Sequence, residues 1–250
     1  MTLNEHQLVE RLRPRAVRYF SQIGSTNTVA LEWMHNGAAE GSVVVADEQV
    51  KGQGRLGRVW HTPAGTALIV SLILHPHVAD LPQITMLGAL AIYDIVKRLG
   101  VESVGIKWPN DVMLNGLKVS GILPEAVWEG DKLVGVVLGM GINVRIDFSN
   151  TELVNKAISL ETVLGRRVER LALLVDLLAR VDYWSQGLGS DALFETWKNR
   201  LITLGQDVRV KTADKEVIGS AQDVNREGAL LVRRVDGQSE YVIAGDIALG

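Results

Sequence analysis

Glycine and arginine fill five of the seven positions in Gly52-Gln53-Gly54-Arg55-Leu56-Gly57-Arg58, directly after the β-branched run at residues 42–49. Glycine lacks a Cβ, so such a loop can bring backbone N–H groups close to an anion, and the two guanidinium groups add charge. The spacing also satisfies the G-x-G-x-x-G signature of dinucleotide-binding folds, which requires a strand before the glycines and a helix opening on the last one. The strand is present in the pattern, but the helix is not. Residues 58–65 carry Pro63 and Gly65 before the next apolar run, residues 67–74, so the loop joins two strands. That excludes a doubly wound dinucleotide fold and predicts an anion held by an arginine loop rather than by a helix dipole.

The chain has 250 residues, 47% of them hydrophobic, enough for one sizeable core and a smaller second unit. A net charge of −3 argues against a protein that coats nucleic acid, which needs an excess of Lys and Arg. With no cysteine, disulfides, thiol nucleophiles and thiolate metal sites are excluded. The N-terminus has no apolar signal-peptide core and no segment reads as a membrane span, so the expectation is a cytoplasmic protein.

Residues 4–13 read as a short amphipathic helix and residues 16–22 as an edge strand. Ser25 or Thr26 caps the next helix, which stops at Gly37; by local pattern alone these hydroxyls are equally well caps or ligand contacts. His75-Pro76-His77 has no third ligand at helical spacing and is read as a surface turn. Residues 82–99 form the longest helical pattern, with Ile84, Leu87, Ala91, Ile95 and Leu99 on one face. Lys107-Trp108-Pro109-Asn110-Asp111 leads into a hairpin whose turn is Asn115-Gly116, and Lys118 follows it close to Gly121. On local grounds Lys118 is an ordinary solvated lysine. A strand at 133–138 enters what reads as a tight glycine-rich passage, Gly139 to Asn143. Residues 169–184 and 191–201 are helical, with Trp184 and Trp197 as packing residues. From residue 205 onward short alternating strands at 208–211, 216–224, 229–234 and 240–244 predict a small antiparallel barrel. The division expected is 1–204 and 205–250.

Together these stretches resemble the biotin protein ligases, also called biotin–acetyl-CoA-carboxylase ligases. Gly52 to Trp60 is similar to that family's glycine-arginine loop, Lys107 to Asp111 to its K-W-P-N-D segment, and Lys118 to Gly121 to its K-x-x-G segment. Ser25-Thr26-Asn27 matches its S-T-N contact, Gln49 the glutamine before the loop, and Gly139 to Asn143 its G-x-G-x-N passage. Gln53 stands where a basic residue is common, and Ser120 and Pro124 where small or aliphatic ones are. The resemblance implies an α+β fold, a mixed β-sheet with packed helices followed by a small SH3-like barrel. It implies a ligase that converts biotin and ATP, with Mg2+, to biotinyl-5′-AMP and passes biotin to a lysine of a biotin carboxyl carrier protein. Biotin would meet Ser25, Thr26, Asn27, Gln49, Gly52, Gln53, Gly54, Arg55, Lys118 and Gly121. ATP would meet Arg55, Arg58, Trp60, Lys107, Asn110, Lys118 and Asn143, and Arg55, Lys118 and Asp111 would serve the chemistry. No dedicated protein metal site is implied, because magnesium would bridge the phosphates. A homodimer is implied; DNA binding is not, since the residues before Tyr19 are too few for a helix-turn-helix domain. A lipoate or octanoyl ligase is the alternative within the same fold. It is disfavoured because no Arg-Arg precedes a triple-glycine and histidine segment.

Overall fold

The computed structural model describes residues 3–60 and 62–249. α1 (Glu5–Arg11) begins where the Asn4 side chain accepts from the Gln7 amide at 3.3 Å. β1 (Val17–Phe20) pairs in parallel with β2 (Val43–Ala46), and α2 (Thr26–His35) makes the crossover that parallel pairing requires. Ser25 is the N-cap of α2, but its side chain makes no capping bond; the helix stops before Gly37, whose φ is 80°.

β3 (Ala67–Leu74), β4 (Val104–Lys107), β5 (Asp111–Leu114), β6 (Leu117–Glu129) and β7 (Lys132–Asn143) complete a seven-stranded sheet in the order β1-β2-β3-β7-β6-β5-β4. Every neighbouring pair except β1-β2 is antiparallel, so the sheet is mixed. The turn between β5 and β6 has Asn115 at φ 51° and Gly116 at φ 79°, the left-handed pair that a two-residue hairpin demands.

Side chains alternate across the sheet, and the two core clusters divide along that alternation. Val44, Ile73 and Val137 pack with Ala30 and Met34 of α2. Val43, Val45, Leu72 and Leu138 face the other way, onto the larger core that holds α3 (Gln83–Arg98), α5 (Arg170–Ser185) and α6 (Asp191–Lys198). A short α4 (Leu160–Leu164) lies in the otherwise irregular stretch before α5.

The passage Gly139 to Asn143, read from sequence as a tight segment beyond the strand, is part of the strand itself. It continues β7 in register with β3 and β6, pairing Ser71 with Gly139 and Gly139 with Leu123, then Ile69 with Gly141 and Gly141 with Gly121. Its glycines are there for space rather than for conformation. A Cβ at 139 would stand 2.3 Å from Asn27 Oδ1, and one at 141 would stand 2.7 Å from the Trp60 ring. Two adjacent cross-strand rows thus lack side chains at Gly139, Gly141 and Gly121, at mid-sheet on the face that α2 covers.

The C-terminal residues form a second sheet from β8 (Asp207–Lys211), β9 (Glu216–Val224), β10 (Leu230–Arg234), β11 (Ser239–Val242) and β12 (Asp246–Leu249), in the order β11-β10-β9-β8-β12. It is antiparallel throughout. β12 was not expected from the pattern, in which residues 240–244 were the last alternating run. Trp108, 1% exposed, joins the two sheets: its backbone N–H donates to Thr203 Oγ1 at 2.9 Å and its indole N–H to the Gly228 carbonyl at 2.8 Å.

Candidate functional site

A cavity of about 380 Å³ opens over the glycine rows, within the range usual for small-molecule sites. Of the residues expected from sequence, Ser25, Thr26, Asn27, Gln49, Gln53, Gly54, Arg55, Arg58, Trp60, Lys107, Asn110, Asp111, Lys118, Gly121 and Asn143 all line it. Gly52 does not. It is packed at the root of the loop, where a Cβ would lie 2.5 Å from the Trp60 carbonyl oxygen and 3.0 Å from Gln49 Nε2.

The loop closes on itself as a narrow ladder. Trp60 N–H donates to the Gly52 carbonyl at 2.9 Å and Gly54 N–H to the Arg58 carbonyl at 2.7 Å. Between these bonds the chain makes one 3-10 turn, Arg55–Gly57, with Leu56 at φ 57° and Gly57 at φ 73°. Arg55 Nη1 donates to Asn110 Oδ1 at 3.4 Å, and Asn110 Nδ2 donates to the Ile122 carbonyl at 2.8 Å, so the K-W-P-N-D segment holds the loop's arginine. Arg58 forms an ion pair with Asp246 of β12, which ties the loop to the second sheet.

One wall is neutral and polar. Gln49 Oε1 accepts from Thr26 N–H at 2.7 Å and from Thr26 Oγ1 at 3.0 Å, leaving Gln49 Nε2 as a donor. The charged part of the lining is strongly cationic: among the described residues Arg55, Arg58, Lys107, Lys118 and Lys156 face only Asp111 and Asp246. In a protein of net charge −3 this is a local excess of positive charge that draws an anion. Burial holds the Arg55 guanidinium below its ordinary range, with Asp111 pulling the other way and Arg58 reinforcing the shift. Lys107 is lowered first by burial, then by Lys118 and Arg58, against the opposing pull of Asp111.

Lys118 Nζ stands 2.5 Å from Asp111 Oδ1 and 5.4 Å from the centre of the Trp60 ring. Its backbone is pinned by Lys118 N–H to the Lys156 carbonyl at 3.0 Å and Ile158 N–H to the Lys118 carbonyl at 2.9 Å. Asn143 Nδ2 donates to the Lys118 and Ile158 carbonyls at 3.3 and 3.2 Å, fixing the same junction. Trp60 lies against Gly121 and Gly141, and its indole N–H is buried without an acceptor among the described residues, a donor available to a ligand.

Sequence reading missed several contributors. Lys156 sits in an irregular stretch with no pattern, and Asp246 in the unforeseen β12. Ser71 had a signal that was passed over, since it interrupts the apolar run of β3 and is 0% exposed. The buried pair of Arg170 Nη1 and Asp47 Oδ1, 2.7 Å apart, anchors the strand end before the loop.

Residues 19–143 match the Biotin/lipoate A/B protein ligase family, and residues 203–250 match the Biotin protein ligase C terminal domain. The bifunctional ligase/repressor BirA of Bacillus subtilis is 34% identical over 242 residues, 93% of this chain and 73% of that protein. The biotin--[acetyl-CoA-carboxylase] ligase of Mycobacterium tuberculosis is 32% identical over 248 residues, 93% of this chain and 88% of that protein. Among solved structures, the biotin protein ligase from Aquifex aeolicus in complex with biotin and ATP superposes with a TM-score of 0.78 at 25% identity, covering 94% of this chain and 98% of that one. Matches to both parts of the sequence, relatives aligned over nearly its whole length, and a mixed sheet followed by an antiparallel one agree: the chain belongs to the biotin protein ligase family.

Proposed function

We propose that the protein activates biotin with ATP and transfers the biotinyl group to a lysine of a biotin carboxyl carrier protein. The observation that carries this is the coexistence, in one cavity, of a neutral wall offering both a hydrogen-bond acceptor and a donor and of a cluster of five cations. The wall suits a cyclic urea, which presents N–H donors beside a carbonyl acceptor. The cations suit the two anions that must meet, a carboxylate and a triphosphate.

In the first step a biotin carboxylate oxygen forms a bond to the α-phosphorus of ATP. The bond from that phosphorus to the bridging oxygen breaks, and pyrophosphate leaves. In the second a neutral lysine amine attacks the acyl carbon, the bond to the phosphate oxygen breaks, AMP leaves and the amine loses a proton. Arg55 and Lys118 offset the repulsion between the anions and stabilise charge that grows on the phosphate and then on the carbonyl oxygen. Asp111 holds Lys118 in place and is the carboxylate best situated to orient the incoming amine. Trp60 stacks on adenine, Lys107 and Arg58 meet the phosphates, and Ser25, Thr26, Asn27, Gln49, Gln53, Gly54 and Gly121 enclose biotin. Asn110 and Asn143 hold Arg55 and Lys118.

Magnesium fits as an ion carried on the phosphates with its own waters. Asp111 and Asp246 in the cavity wall are each paired with a cation rather than arranged as a carboxylate cage. It would neutralise phosphate charge. Residues 1–204 act as the catalytic domain and 205–250 as a C-terminal domain that braces the loop through Arg58 and Asp246. The working form is a cytoplasmic homodimer; no helix among the described residues is long and apolar enough to cross a membrane.

The lipoate alternative is disfavoured by the wall. An apolar dithiolane would leave Thr26 and Gln49 unmatched, and a site built to hydrogen-bond its ligand rejects one that cannot by up to about 10⁴. Isothermal titration with biotin against lipoate, followed by ATP-dependent transfer of labelled biotin to a carrier protein, tests the proposal. Binding of lipoate in preference to biotin would overturn it.

A further inference from the structure

A chain of polar side chains runs from the cavity wall, at Thr26 and Asn27, back to Ser71 and Glu125. Ser71 Oγ is 2.6 Å from Asn27 Oδ1 and 2.8 Å from Thr26 Oγ1. On its other side Asn27 Nδ2 donates to the Leu123 carbonyl at 3.2 Å and to the carboxylate of Glu125. A backbone carbonyl and a carboxylate can only accept, so the amide nitrogen of Asn27 must face them and Oδ1 must face Ser71. Ser71 has one proton and Asn27 Oδ1 has none, so Ser71 donates to Asn27. Thr26 therefore receives no proton from Ser71. Its own proton points into the wall, shared between Ser71 Oγ at 2.8 Å and Gln49 Oε1 at 3.0 Å, and a lone pair is left for the cavity.

We propose that Glu125 sets the direction of this hydrogen-bond chain, and that Glu125, Asn27 and Ser71 are positioning residues that keep Thr26 an acceptor toward the ligand. The ligand class selected is one carrying an N–H donor at that point, as a cyclic urea does; this rests on the reading that biotin fills the cavity. Gly139 belongs to the device, since any Cβ there would occupy the place of the Asn27 amide, 2.3 Å from Oδ1. Without the fixed carboxylate acceptor the chain can reverse: Asn27 turns its NH2 toward Ser71, Ser71 donates to Thr26, and a lone pair wanted by the ligand is used up.

The test compares biotin and ATP affinity by titration in Glu125→Gln, Ser71→Ala and the double variant. A glutamine can donate as well as accept, so it no longer forces the direction. Glu125→Gln is expected to weaken biotin about 10-fold, the size of one lost hydrogen bond at the upper end, and to leave ATP affinity within about twofold. Ser71→Ala removes the hydroxyl that could donate to Thr26, so it should stay within about threefold of the parent, and the double variant should recover to that level, whereas independent packing contributions would multiply. Biotin affinity within about twofold of the parent in Glu125→Gln, or a double variant as weak as Glu125→Gln or weaker, would overturn the relay. A parent protein that binds no biotin would overturn the functional assignment, and the relay with it.

Discussion

The indole of Trp60 rests on the backbone of Gly141, so close that a Cβ at 141 would stand 2.7 Å from ring atoms Cε2 and Nε1. Residue 141 lies inside β7, paired on both sides, and cannot move away without breaking two ladders. Gly141→Ala should therefore displace the ring. If Trp60 carries adenine, ATP binding should weaken by roughly 10-fold or more, the order of one base–aromatic stack, with biotin binding less affected. Titration with ATP checks this. Unchanged ATP affinity would remove Trp60 from the adenine site.

Lys118 is held at both ends, by Asp111 on its ammonium and by the 156–158 segment on its backbone. Lys118→Ala should lower the rate of adenylate formation by about 10² to 10³, as loss of one donor to a developing negative charge does, while changing biotin affinity less. A rate within about threefold of the parent would return Lys118 to the role of an ordinary hairpin lysine.

Lys107 gives a pH prediction. Burial holds its ammonium below the ordinary 10.5, so it loses its proton earlier than an exposed lysine. Phosphate favours the charged form, and ATP affinity should fall as pH rises through that lowered pKa, with Lys107→Arg moving the fall to higher pH because arginine stays charged. The free protein should respond oppositely. A depressed lysine binds fewer protons folded than unfolded, so the free protein gains stability over the same rise. Measuring ATP binding and thermal midpoints from about pH 7 to pH 10 checks both. Parallel trends would contradict the assignment.

Arg170 and Asp47 have side chains only 1% and 5% exposed, and Tyr19 OH donates to the other Asp47 oxygen at 2.9 Å. Burial and Asp47 push the Tyr19 hydroxyl up to about 12. Arg170→Ala leaves a buried carboxylate without its cation and should cost about 3–5 kcal/mol in urea unfolding. A loss under about 1 kcal/mol would mean that water replaces the guanidinium.

Most of the fold is legible in the sequence because its elements are short and strongly punctuated. Gly37, Gly100 and Asn115-Gly116 stop or turn the chain where left-handed backbone is needed, and the apolar run of β3 spans the residues expected. The site residues are legible through their resemblance to a family rather than through local pattern, since Thr26 or Lys118 alone reads as a cap or a hairpin lysine. What escaped is what depends on register. Gly139 and Gly141 read as a tight passage beyond the strand, and only the pairing with Ser71, Leu123, Ile69 and Gly121 reveals that they continue it and clear space. Glu125 lies far from Asn27 in sequence, and nothing local announces their contact.

The central claim, that one cavity joins a biotin carboxylate to the α-phosphate of ATP, is tested most directly by exchange of labelled pyrophosphate into ATP. The reaction needs no acceptor protein. Label should enter ATP only when biotin is present, and Lys118→Ala should slow it by about 10² or more. Exchange that proceeds without biotin, or that lipoate supports and biotin does not, would contradict the account.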